Sequence, residues 1–64
     1  MTKAKTSWIA NHGFPPTLLD SAIMIEVRTR RGSYKIEAHE ADYDELWSLD
    51  RGLDTIVECR EVGI

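Results

Sequence analysis

The stretch from Ile23 to Ala38, IMIEVRTRRGSYKIEA, constrains the fold more than any other. Ile23, Ile25, Val27 and Thr29 alternate with Met24, Glu26, Arg28 and Arg30. Past Arg31-Gly32 the alternation resumes, with Tyr34, Ile36 and Ala38 set against Ser33, Lys35 and Glu37. Period-two patterning on both sides of a Gly-containing turn is the signature of a β-hairpin. A loop at Arg31-Gly32 places Arg30 opposite Ser33, Val27 opposite Ile36 and Ile25 opposite Ala38. Apolar then meets apolar on one face.

The rest of the chain is read around that hairpin. Residues 1–7 are polar and aperiodic and read as a disordered tail, leaving one small β domain over 8–64. Trp8-Ile9 is an edge strand or an anchoring plug. Asn11-His12-Gly13 and Pro15-Pro16 are loop chemistry, and Leu18 and Leu19 aim at the core. His39 to Asp50, HEADYDELWSLD, leaves two readings open. Ala38, Ala41, Glu45, Leu46 and Leu49 allow one or two helical turns. The weak helix formers Asp42 and Asp44 favour an acidic loop or a single turn, then a short strand over Leu46 to Leu49. Thr55 to Val62 is the last strand, with Val57 and Cys59 on one face and Ile56, Glu58, Arg60 and Val62 on the other. Apolar residues on both faces place it centrally. The expected fold is mainly β: an antiparallel sheet of three to four strands, twisted or closed into a half-open barrel, with one short helical turn at 39–46. Trp8, Leu18, Leu19 and Trp47 plug its concave side. A tryptophan buries on the order of 200 Å², so core is the expectation for both.

Size limits what can stabilise such a sheet. A chain of 64 residues buries only about 60% of its unfolded surface. One cysteine cannot close an intrachain disulfide, and one Cys with two His falls short of a four-ligand zinc site. Extra burial must come from a compact core or from homo-oligomerisation. The lone Cys fits a reducing compartment, and no signal peptide or membrane-length apolar run is visible. The expected location is cytoplasmic, with no membrane partner.

Residue chemistry points away from catalysis. Cys59 sits mid-strand with no base beside it and reads as a small buried hydrophobe. No serine has a nucleophile-elbow context, and Gly13, Gly32, Gly52 and Gly63 are isolated turn residues rather than a phosphate cradle. His39-Glu40 followed by Asp42, Asp44 and Glu45 is oxygen-rich, yet it lacks the EF-hand order. The chain therefore reads as non-enzymatic, without cofactor or metal.

Charge is the remaining signal. The net charge is −3, but residues 1–36 carry +4 and residues 37–58 carry −7. Arg28, Arg30, Arg31 and Lys35 cluster on the polar face and tip of the hairpin, and Asp42, Asp44 and Glu45 head the acidic stretch. These seven are the candidate partner-binding residues. In the register above, Arg28 and Glu37 are diagonal, as are Glu26 and Lys35, so part of the basic charge is neutralised locally. That and the net charge disfavour nucleic acid as a partner. Conversely, ordered carboxylates can imitate a DNA backbone toward a nucleic-acid-binding protein.

Four motifs carry a resemblance. W-I-x-N-x-G-x-P-P over Trp8 to Pro16, V-R-x-R-x-G over Val27 to Gly32, Trp47, and D-x-I-V-x-x-R-x-V over Asp54 to Val62 resemble a group of short bacteriophage and prophage proteins. The chain differs from the group's usual pattern in having one early Trp, no doubled Gly, and Cys59 in place of Tyr. The resemblance implies a phage-encoded accessory protein that acts in the host cytoplasm by binding and modulating or inhibiting a host protein or defence complex. Two alternatives stand beside it: an oligomeric nucleotide-binding protein, and a direct nucleic-acid binder.

Overall fold

A computed structural model describes residues 8–62. The expected tail at 1–7 lies outside them. The fold is a four-stranded antiparallel sheet made of β1 (Ile9–Ala10), β2 (Met24–Thr29), β3 (Gly32–Glu37) and β4 (Ile56–Glu61), in the order β1-β4-β2-β3. Four short 3-10 turns, Thr17–Asp20, Ala38–Ala41, Asp44–Trp47 and Gly52–Asp54, carry the chain across one face. The sheet stays open, with β1 and β3 as its edges.

The hairpin forms, but its loop is Arg30-Arg31 rather than Arg31-Gly32. Thr29 pairs with Gly32, Val27 with Tyr34 and Ile25 with Ile36. The shift is two residues from the expected register, so every side chain keeps its face. Local hydrogen bonding sets the loop. Thr29 Oγ1 donates to Gly32 O at 2.9 Å and accepts from the Arg31 amide at 3.1 Å. Neither arginine takes a positive φ, and Gly32 adopts +142° instead. Tight hairpins need a left-handed residue somewhere, and only glycine takes that conformation without strain.

β4 is central, as its two apolar faces require, lying between β1 and β2. Its faces are not those of a regular strand. Ile56 and Cys59 are both buried, although an odd separation should place them on opposite sides. The β2–β4 register slips between Arg28 and Thr29, where a bulge restores the geometry. Ile56 thereby joins Cys59 in the core, and Val57 turns outward to 38% exposure.

The core lies on one face. Ile25, Val27, Ile56 and Cys59 pack there against Leu19, Ala38, Ala41, Leu46 and Trp47. Trp47 is fully buried and donates from Nε1 to Ala41 O at 2.7 Å. The strand expected at Leu46 to Leu49 does not form, and Asp44–Trp47 is a 3-10 turn that drops Leu46 and Trp47 onto the sheet. A second 3-10 turn, Ala38–Ala41, buries both of its alanines. The small side chains let the turn lie close to Trp47.

Trp8 corrects the expected plug. It lies on the opposite face, where its ring meets the Arg28 guanidinium at 4.2 Å and the Arg60 guanidinium at 4.5 Å. The segment after it is locked by Asn11. The Asn11 Nδ2 group donates to Ile56 O at 2.8 Å and Trp47 O at 3.0 Å, its Oδ1 accepts from the Gly13 amide at 2.8 Å, and its own amide donates to Val57 O. One side chain thus ties β1 to both β4 and the Trp47 turn.

Candidate interaction surface

The basic candidates divide between two ion-pair systems and an open tip. Arg28 lies across from Glu58 and forms a 2.5 Å salt bridge with it. Glu26 and Arg60 form the next pair along the same strands, at 2.8 Å. Arg60 holds the Glu26 carboxyl below its ordinary range, chiefly by hydrogen bonding to it. Two Arg–Glu pairs and a tryptophan ring therefore clothe the polar face of β2 and β4. The neutralising partners come from β4 rather than from the β3 diagonals expected from sequence. A face whose cations already have carboxylates and an aromatic ring against them has little left to offer a phosphate.

Arg31 is also engaged. Its Nε donates to Asp54 at 2.7 Å, which clips the hairpin tip to the loop before β4. Arg51 donates to Leu46 O and Asp54 O. Between them lies a cleft of about 350 Å³ lined by Thr29, Arg31, Ser33, Tyr34, Arg51 and Asp54. Arg30 and Lys35 are exposed and make no ion pair among the described residues. The structure thus separates the four basic candidates instead of assembling them into one site.

The acidic candidates stay together. Asp42, Asp44 and Glu45 are all exposed along and just before the 3-10 turn that buries Leu46 and Trp47. Trp47 anchors that turn, so its outward carboxylates sit on a fixed frame. A shallow depression of about 550 Å³ opens beside them, lined by Gly13, Asp44, Glu45, Ser48, Leu49 and Asp50. Leu49 is 61% exposed. Neither Leu49 nor Asp50 is among the residues that the sequence marks as partner-binding candidates. The exposure of Leu49 follows from the 3-10 turn burying Leu46 and Trp47, whereas both the helical spacing and a strand over Leu46 to Leu49, which sets Leu49 on the face of Trp47, group it with the core.

The remaining chemistry is sparse. Cys59 is buried, and desolvation, helped by the neighbouring Glu58 charge, pushes its thiol up to about 11. It is protonated and inert at neutral pH. Glu37, His39 and Glu40 bring potential ligand atoms within 4.8 Å of one another, but all three are exposed, and His39 Nε2 lies 2.6 Å from Glu37 Oε1 as a simple surface pair. Among the described residues no helix is long and apolar enough to cross a membrane.

Five of the motif residues have clear structural roles in this fold. Asn11 locks β1, Gly32 completes the hairpin turn, Trp47 fills the core, Asp54 holds Arg31, and Arg60 holds Glu26. No protein-family model matches the chain, and neither the curated proteins nor the solved structures yield a match.

Proposed function

We propose that the chain is a non-enzymatic, phage-encoded accessory protein that binds and modulates a host protein, and that its contact surface is the acidic and apolar patch over Asp42 to Asp50. The observation that carries this reading is the depression around Leu49. An exposed leucine lies among Asp44, Glu45 and Asp50, with no basic side chain in the lining. An apolar centre with a charged rim is the arrangement of a protein-binding site, and the sign of the rim selects a basic partner surface. The rim also fits a partner that ordinarily holds nucleic acid. A photo-crosslinking amino acid at position 49 tests this in bacterial lysate. It is expected to give a discrete adduct with a bacterial protein that the same group at position 30 does not give. Identical adducts from both positions, or none from position 49, contradict the assignment.

A second reading, a nucleotide-binding protein, draws on the cleft between Arg31, Arg51 and Tyr34. Against it, Arg31 is already paired with Asp54 and Arg51 with two carbonyls. A thermal shift with a nucleotide panel that Arg31→Ala abolishes would restore this reading.

A further inference from the structure

The outer edge of β3 is unpaired. The Ala38 amide donates to Ile23 O at 2.9 Å, which extends the β2–β3 register by one step. In an antiparallel ladder alternate residues bond to the same neighbour, so Tyr34 and Ile36 bond β2, while Ser33, Lys35 and Glu37 turn their main-chain groups outward. No main-chain hydrogen bond reaches those three from outside among the described residues. The strand has neither proline nor bulge, the usual means of blunting an edge.

We propose that this edge pairs with β3 of a second copy of the chain, antiparallel and centred on Ile36, which joins the two sheets into one. The outward groups allow only registers that match Ser33, Lys35 and Glu37 with one another. Centred on Ile36, Lys35 of each copy faces Glu37 of the other, and Ile36 meets Ile36 at the core margin, where it is only half-buried. A slip of one residue in either direction about that centre places Lys35 on its own copy or Glu37 on its own copy. Like charges directly opposite destabilise a strand pair, and of the allowed registers only the one centred on Ile36 sets unlike charges of β3 directly opposite each other. Lys35 is available for this role. Its cross-strand neighbour Glu26 is held by Arg60, and Lys35 makes no ion pair among the described residues. The same lysine discourages strands that lack a matching carboxylate.

The two Lys35–Glu37 pairs supply about four main-chain hydrogen bonds, which suits a weak, reversible dimer rather than an obligate one. Sedimentation equilibrium from about 5 μM to about 1 mM is expected to show monomer and dimer exchanging within that range. Lys35→Glu and Glu37→Lys each weaken the dimer about tenfold, and the double charge swap returns it to within about threefold of the parent. Both positions are exposed, and a far-UV circular dichroism spectrum and a cooperative melt like the parent's are the check that each variant is folded. A monomer at every concentration, single variants that dimerise like the parent, or a double swap no better than the singles would each overturn the proposal. The pairing does not depend on the patch at Leu49, so Leu49→Asp leaves the dimer unchanged.

Discussion

Trp47 and Trp8 lie on opposite faces of one sheet, and their surroundings divide the molecule. Trp47 is fully buried, satisfied by one carbonyl and enclosed by Ala38, Ala41, Ile25 and Ile56. Trp8 is half-buried against two guanidiniums that are themselves paired with Glu58 and Glu26. The same side chain serves as core on one face and as a cover for charge on the other. Neighbouring strands decide which. β2 and β4 present Ile25, Val27 and Cys59 on one side, and Glu26, Arg28, Glu58 and Arg60 on the other. Stability is concentrated on the Trp47 face, and on the Trp8 face the charges of β2 and β4 are paired with one another. What is left for a partner lies at the margins: the acidic patch at Leu49 and the β3 edge.

The comparison breaks most readily at Trp47. Trp47→Ala is expected to cost about 3–5 kcal/mol. A single small core rarely holds more than about 3–5 kcal/mol in total, so this variant should show no cooperative unfolding transition. Asn11 ranks next. Asn11→Ala leaves Trp47 O and Ile56 O without their donor, a loss of about 1–3 kcal/mol in urea denaturation. Asn11→Asp should be worse, because an acceptor then faces both carbonyls.

Trp8→Ala should cost about 1 kcal/mol or less, the scale of partly exposed cation–π contacts. A loss as large as that of Trp47→Ala would erase the distinction between the faces. The smallest effect is the pH dependence of Glu26. Arg60 holds its carboxyl below the ordinary 4.5, so the folded state favours the ionised form. The stabilisation is complete above pH 4.5 and is lost as pH falls through the lowered folded value. Glu26→Gln lacks it, so the two proteins' melting temperatures should converge as the pH drops below that point.

Much of the sheet was legible in the sequence because period two survives wherever a strand is half-buried. The hairpin follows from it, and apolar residues on both faces of the last strand give its central position, whereas Trp8-Ile9 reads equally as an edge strand or a plug. What escaped depended on tertiary contacts. The hairpin loop moved one residue, and the pairing register two, because the Thr29 hydroxyl bonds around the loop, and nothing in the alternation reports that bond. The bulge in β4 broke the parity that Ile56 and Cys59 would otherwise obey. The strand expected beneath Trp47 gave way to a 3-10 turn because two consecutive side chains, Leu46 and Trp47, both needed burial. A strand would have sent one of them to solvent. The candidate site was half legible. Asp42, Asp44 and Glu45 stand exposed together, whereas Arg28 and Arg31 were claimed by Glu58 and Asp54, partners distant in sequence.

The central claim is that binding lies on the acidic margin and not on the basic hairpin. Quantitative affinity capture from bacterial lysate with three baits tests it most directly: the parent chain, Asp44→Lys/Glu45→Lys/Leu49→Asp, and Arg30→Glu/Arg31→Glu, all shown to be folded. One bacterial protein is expected to be enriched by the parent and the arginine variant and lost with the patch variant. Loss with the arginine variant and retention with the patch variant would contradict it.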